Sequence, residues 1–450
     1  MSSPRKPINI AIVGGGFAGL ALLIGLQKYP HIDAHVYESQ DEFTEIGAGA
    51  VLGPNAQQAM SLIDPRILEG FQRRAIFGFQ EPNAEGFHSW ATVVKGQTPD
   101  VDEIVMHYKH KLKDSTIHRA HFIDELNKLV EPHRAHFGKR LSEVREGTGG
   151  DSDPITLVFG DGSTAEADIV IGSDGIHSVV RKHILGVNHP ATNAFFTGAI
   201  AYRCTVPMAK AKDTLGERAI QPQFAMKCGK DGMVFGFPMS NFSLYYIAVV
   251  TFNNAPVPHD QWKVKPNVSD LRARFADFED FVRKQVELVP DDSSTLGWSI
   301  WEMPPAPTYF NGRVAIVGDA AHASPPFQGA GAGQSIEDAL VMEQLLGKYL
   351  DPARESIHPL TTTEATLMIF QAYDTVRRFR SQKVVTTSAE TGRLLSGNEP
   401  GVSLHAKDIH ARLTDREQWI FEHDQVQQVK DAKHVFEEAE LALARGSNRL

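Results

Sequence analysis

Cysteine is scarce in this chain and long apolar runs are missing. Only Cys204 and Cys228 occur in 450 residues, with no CxxC spacing. A disulfide framework and a cysteine zinc site are therefore unsupported, no metal is expected, and two ordinary thiols in a reducing compartment remain. No apolar stretch approaches the length of a membrane span. The first apolar run begins at Ile8, too early for a signal peptide to precede it, so a cytoplasmic protein without a membrane partner is expected. Positive charge is also in short supply. Lys and Arg total 45 against 55 Asp and Glu, a net charge of -10 with no dense basic run, which argues against a nucleic-acid partner. What remains is an ordinary globular composition, 42% hydrophobic and 22% charged, without repeats or low-complexity tracts, and long enough for two or three domains.

The glycines carry the information. Gly14-Gly15-Gly16-Phe17-Ala18-Gly19 follows the apolar run Ile8 to Val13 and leads into the apolar segment Leu20 to Leu26. Strand, glycine turn and helix in this order form a dinucleotide fingerprint: Gly14 permits the turn, Gly16 lets the backbone approach a pyrophosphate, and Gly19 lets the helix pack on the strand. A second strand, Ala34 to Glu38, ends in an acid placed to accept hydrogen bonds from ribose hydroxyls. About three hundred residues later come Gly318-Asp319-Ala320-Ala321-His322 and Gln328-Gly329-Ala330-Gly331-Ala332-Gly333. Together the segments point to one bound dinucleotide, FAD.

Between them the pattern changes twice. Glu45-Ile46-Gly47-Ala48-Gly49-Ala50 closes a polar loop whose glycines let backbone approach a flat ligand edge, and Gly53-Pro54 opens a helix. A helix is expected over His118 to Leu126, with Arg119 at its start placed for a phosphate. Residues 154 to 171 read as a hairpin about Asp161-Gly162, running into Gly172-Ser173-Asp174-Gly175. From about 195 to 255 aromatic and β-branched strands predict a mostly antiparallel sheet; 268 to 290 read as helical, and 297 to 301 return as a strand. Arg313 to Asp319 re-enters the first domain, followed by a helix over Ser335 to Leu350. The remainder reads as charged helices, chiefly Thr363 to Val385 and Asp415 to Ala444, with Arg377-Arg378-Phe379-Arg380 as a solvated helix face. The fold class is α/β: a Rossmann-like FAD-binding domain (1–185 and 296–350), an inserted, mostly antiparallel substrate sheet (186–295) and a helical C-terminal region (351–450).

With both glycine segments and the Gly172-Ser173-Asp174-Gly175 loop in order, the chain resembles the single-component flavoprotein aromatic hydroxylases, the group that includes para-hydroxybenzoate hydroxylase. Its wording is most similar to salicylate hydroxylases and their fungal relatives that act on phenolic polyketides. The resemblance covers roughly residues 8 to 350. It implies that Gly14, Gly16, Gly19 and Glu38 hold the ADP half of FAD, that Arg119 reaches the pyrophosphate, that Asp174 and Gly175 serve both FAD and the nicotinamide cofactor, and that Asp319 meets the ribityl and pyrophosphate region. Gly49 and the Gly329, Gly331 and Ala332 backbone would meet the flavin ring, where a helix N-terminus favours negative charge. NADH or NADPH would bind transiently, without a fingerprint of its own. Gly147-Thr148-Gly149-Gly150, which precedes a strand, reads as a loop.

The implied reaction is reduction of FAD by NAD(P)H, then addition of O2 at flavin C4a to give a hydroperoxide that delivers one oxygen atom to a phenolic ring. Arg203, in a predicted strand, is the candidate cation for a phenolate or carboxylate, with Phe237, Tyr246, Pro326 and Phe327 as further substrate contacts. Two features depart from the family. Some salicylate hydroxylases have a His before the Gln-Gly-Ala-Gly turn where this chain has Phe327, and some polyketide relatives have a Tyr where it reads Phe235-Gly236-Phe237. The base is therefore open among His322, His118, Tyr202 and Tyr246, with His322 carried as the catalytic candidate. Salicylate-like decarboxylative hydroxylation is the leading expectation, and hydroxylation or dearomatisation of a phenolic polyketide, a non-oxygenating flavin oxidoreductase and a catalytically weak FAD module are the alternatives. A monomer or homodimer is expected.

Overall fold

The computed structural model describes residues 6–446 except 44–48, 78–83, 85, 87, 111–114, 148–152, 221–223, 240–241, 260 and 294. The loop residues Glu45 to Ala48 and the turn residues Thr148 to Gly150 lie outside the described residues. The strand Ile8–Val13 is apolar at nearly every position because it is buried in the centre of a six-stranded sheet. It pairs in parallel with Ile32–Tyr37 on one side and Ile169–Gly172 on the other, and Ile169–Gly172 pairs in parallel with Val314–Ile316. Val13 is level with Tyr37 and Gly172, and Gly172 with Ile316. Four strands thus end together and release Gly14, Glu38, Ser173 and Gly318 at one edge, the crevice where α/β sheets bind ligands.

The expected hairpin is divided. Ile155–Phe159 and Thr164–Ala167 belong to a separate three-stranded antiparallel sheet, whereas Ile169–Gly172 joins the parallel one. Asp168 marks the change. Its carboxylate accepts from the Asn9 N–H at 2.8 Å and its carbonyl from Arg313 at 3.0 Å, which pins the crossover.

The second large sheet has eight strands and is antiparallel except where Phe224–Gly229 pairs in parallel with His88–Lys95. Phe195–Pro207, Gly232–Met239 and Leu244–Thr251 form its middle. Residues 88–110, which a boundary at 186 leaves in the FAD-binding half, supply the strands His88–Lys95 and Ile104–His110, and Leu296–Glu302 pairs beside Phe195–Pro207. Alternation gives each strand two faces. Tyr202, Cys204, Val206, Tyr245, Ile247 and Val249 pack under the helices Met208–Leu215, Val268–Arg274 and Asp280–Glu287. The opposite face meets Phe327, Leu394 and Leu395.

The C-terminal region is built on the 34-residue helix Thr362–Leu395, opened by a capping box in which Thr361 and Glu364 exchange hydrogen bonds. It packs on the helices Gly331–Tyr349 and Gln425–Ala444. None of the helices among the described residues is long and apolar enough to cross a membrane.

Candidate active site

The helix Phe17–Leu26 is buried along its whole length, yet no side chain caps its N-terminus. Backbone N–H groups left open at a buried helix end form an anion seat. The glycines around it fall into two classes. Gly14 has φ +103°, and a Cβ there would lie 2.4 Å from the Ser173 carbonyl oxygen; a Cβ on Gly19 would lie 2.1 Å from the Gly14 oxygen. Those two are required by packing within the protein. A Cβ on Gly16 would meet nothing within 4 Å, so the room beside it is left for a ligand. The Arg119 guanidinium stands 5.2 Å from the Phe17 ring at the same helix end. Glu38 accepts from Gly15 N–H at 2.7 Å and Gln40 N–H at 2.8 Å, which fixes its carboxylate at the tip of the second strand. An ADP moiety fits this set of donors and acceptors.

The far end of the crevice is a slot. The strand Gly49–Leu52 faces the turn after Pro326–Gln328, and a Cβ on Gly329 would sit 3.4 Å from Val51. Gly331 and Ala332 are half-buried at the start of Gly331–Tyr349, another helix without a capping side chain. Asp319 is exposed beside the Gly318 turn. The long C-terminal helix pins this turn region: Ser388 Oγ donates to the Pro325 carbonyl at 2.6 Å, and the Gln328 amide bonds Thr387 and Thr391.

Two sequence candidates are occupied elsewhere. The Asp174 carboxylate accepts from Ser178 Oγ and from the N–H groups of Val179 and Val180, so it caps the helix Val179–Leu185, and Gly175 beside it carries the backbone turn with φ +73°. His322 is 2% exposed with Nε2 2.6 Å from Asp338. This corrects its assignment as the catalytic histidine: an imidazole enclosed and held by a buried carboxylate cannot reach a substrate proton. Tyr202 is excluded for a different reason, since it lies on the helix-covered face of the sheet. His118 ends the strand opposite Gly49 and is exposed.

Arg203, Phe235, Phe237 and Tyr246 share the other face. Arg203 and Phe235 both align with Ala248, and Phe237 aligns with Tyr246. All four are only half-buried. The Phe237 and Tyr246 rings are 5.0 Å apart. Burial raises the Tyr246 phenol above its ordinary pKa, and the nearby Arg203 charge opposes that rise. Among the described residues Arg203 has neither a hydrogen bond nor an ion pair, whereas the half-buried Arg134, Lys139, Arg354 and Arg378 are all paired with carboxylates. Phe327 instead packs into the structure, stacked on Phe252 at 5.5 Å and lying over Gly392, with exposed Pro326 beside it.

The C-terminal arginines do not form the solvated helix face expected of them. Arg377 is fully buried and Arg380 is 8% exposed, while Phe379 between them is 77% exposed. The readable signal was helical spacing: Tyr373, Arg377, Arg380 and Val384 fall on one stripe, which faces the Glu337-Asp338 pair.

A family model described as an FAD binding domain matches residues 8–376. The chain is 38% identical over 437 residues to the 6-methylsalicylate 1-monooxygenase of Aspergillus terreus, covering 95% of this chain and 92% of that protein. It is 31% identical over 434 residues to a salicylate hydroxylase of Pseudomonas putida, covering 94% of each. Among solved structures, a salicylate hydroxylase substrate complex matches with a TM-score of 0.79 at 31% identity, covering 95% of this chain and 98% of that one.

Proposed function

The chain belongs to the FAD-binding family of flavoprotein monooxygenases, and from that premise we propose that it hydroxylates a phenol bearing an ortho carboxylate, in the manner of a salicylate 1-hydroxylase. The observation that carries this reading is Arg203: a half-buried guanidinium, without a partner among the described residues, on a sheet face walled by Phe235, Phe237 and Tyr246. A planar cation beside aromatic walls suits a small aromatic carboxylate, which it grips bidentately. The names of two relatives, a 6-methylsalicylate 1-monooxygenase and a salicylate hydroxylase, support the same substrate class.

FAD, when bound, supplies the redox chemistry, taking electrons from NAD(P)H and activating O2. Gly14, Gly16, Gly19, Glu38 and Arg119 would hold its ADP half, Asp319 and Gly175 its middle, and Gly49, Gly329, Gly331 and Ala332 its ring. Arg203 anchors the substrate carboxylate and so fixes which ring carbon is presented. Phe235, Phe237 and Tyr246 would wall the ring and keep water away, with exposed Pro326 at the rim. The Tyr246 hydroxyl, near the Arg203 charge and kept protonated by burial, would donate a hydrogen bond to the substrate oxygen and, with Arg203, steady its negative charge once the proton has left. Oxygen then replaces the carboxylate carbon: salicylate, NADH, O2 and two protons give catechol, CO2, water and NAD+. Loss of the carboxylate removes the charge that Arg203 holds, which favours product release.

Titration of the FAD-loaded enzyme with salicylate, followed by the flavin absorbance change and by NADH oxidation, tests the assignment. Arg203→Ala should keep FAD and lose both responses by two orders of magnitude or more, about 3 kcal/mol. A variant still stimulated by salicylate would remove Arg203 from the site.

A further inference from the structure

Glu337, Asp338 and Arg377 are fully buried, and Arg380 is 8% exposed. The acids belong to the helix Gly331–Tyr349 and both cations to the helix Thr362–Leu395. Arg377 Nε donates to Asp338 Oδ1 at 2.7 Å, and another of its nitrogens bonds Glu337. Arg380 grips both Glu337 oxygens at 2.8 Å. Burial pushes both carboxyls up, but Arg380 and Arg377 beside Glu337, and His322 and Arg377 beside Asp338, hold them below the usual carboxylate range. Leaving the His322 imidazole aside, two negative charges meet two positive ones.

Two neighbouring segments bond to this cluster, and its acids sit on a third. Asp338 Oδ2 accepts from the Gly318 N–H at 2.8 Å, in the turn that carries Asp319. Glu337 accepts from Asn55 Nδ2 at 2.6 Å, just after the strand Gly49–Leu52. The acids themselves lie six and seven residues into the helix whose N-terminus faces the flavin slot, about 9 to 10 Å from its end. Unbalanced carboxylates at that distance in a poorly screened interior would oppose the positive end of the helix.

We propose that Arg377 and Arg380 are positioning residues for FAD: supplied by the C-terminal region, they cancel the charge of Glu337 and Asp338, hold the Gly318 turn, and so set the affinity for FAD and the ease of its reduction. The inference rests on the flavin reading and goes beyond it, because it assigns the C-terminal helices an electrostatic part in a site to which they contribute no fingerprint.

The test compares wild type with Glu337→Gln, Arg377→Gln and the charge-balanced double variant, reading FAD Kd by fluorescence and the flavin midpoint potential by anaerobic dye titration. Arg377→Gln leaves an extra negative charge, which should lower the potential and raise Kd at least about tenfold. Glu337→Gln leaves an extra positive charge and should raise the potential. The double variant should return toward wild type. Structural damage alone cannot give opposite signs and then restore the starting value. If Arg377→Gln does not fold, a raised potential in Glu337→Gln that returns in the double variant still upholds the proposal. Unchanged potentials, shifts of one sign, or no return in the double variant overturn it. Wild type that takes up no FAD overturns the flavin reading itself, and this proposal with it.

Discussion

Gly16 and Gly14 separate what the protein needs from what its ligand needs. A side chain at Gly14 meets the Ser173 carbonyl and a φ of +103°, whereas one at Gly16 meets open space. Gly16→Val should therefore leave apoprotein stability within about 0.5 kcal/mol of wild type, as surface changes do, while FAD affinity falls by at least tenfold, equivalent to about 1.4 kcal/mol. Gly14→Val should prevent folding. Thermal denaturation of both apoproteins, with FAD titration of the first, checks the pair. Glu302 offers a test of a different kind. Burial lifts its carboxyl from 4.5 to about 7, partly offset by Arg393. An acid whose folded pKa is raised binds more protons folded than unfolded between about 4.5 and 7, so its contribution favours folding at low pH and is lost as pH rises through that window. Glu302→Gln should remove this component: the difference in Tm between pH 5 and pH 8 should shrink relative to wild type, and an unchanged difference would show that Glu302 titrates normally.

At the scale of elements, the FAD half of the sheet was legible because fully buried parallel strands and glycine turns leave a continuous pattern. Ile8–Val13 and Phe17–Leu26 needed no partner to be recognised. The strands His88–Lys95 and Ile104–His110 were not legible, since their place in the second sheet is decided by pairing with Phe224–Gly229, more than a hundred residues away. The long helix was visible, but its buried face was hidden by its arginines: charge in sequence reads as solvent, and only the facing Glu337 and Asp338 make burial affordable. Of the site, the cofactor end was readable, while the exclusion of His322 and Tyr202 required knowing which face each side chain occupies. The same helix supports a prediction. Ending the chain at residue 350 would leave two buried carboxylates without their arginines, a loss of 3 to 5 kcal/mol for each broken buried pair. The truncated chain should fail to give soluble, FAD-binding protein; a folded yellow product would show that the C-terminal helices are dispensable.

On the scale of the whole molecule, the proposed site draws on two sheets and a helical brace. The six-stranded sheet releases four turns at the edge where the ADP half of FAD would sit, the eight-stranded sheet presents Arg203 among aromatic rings, and the long C-terminal helix pins the turn at Pro325 to Gln328. A ligand that bridges these parts should stabilise the folded chain by mass action, about 2.7 kcal/mol at a hundredfold excess over Kd, so FAD should raise Tm and NADH alone should raise it far less. Oxygen insertion at a carboxylated phenol is tested by product analysis under ¹⁸O2 with salicylate and NADH, counting CO2, labelled product and NADH consumed. One CO2 and one singly labelled catechol per NADH is the expected result. NADH oxidation without labelled product, or a labelled product that keeps its carboxylate, would contradict it.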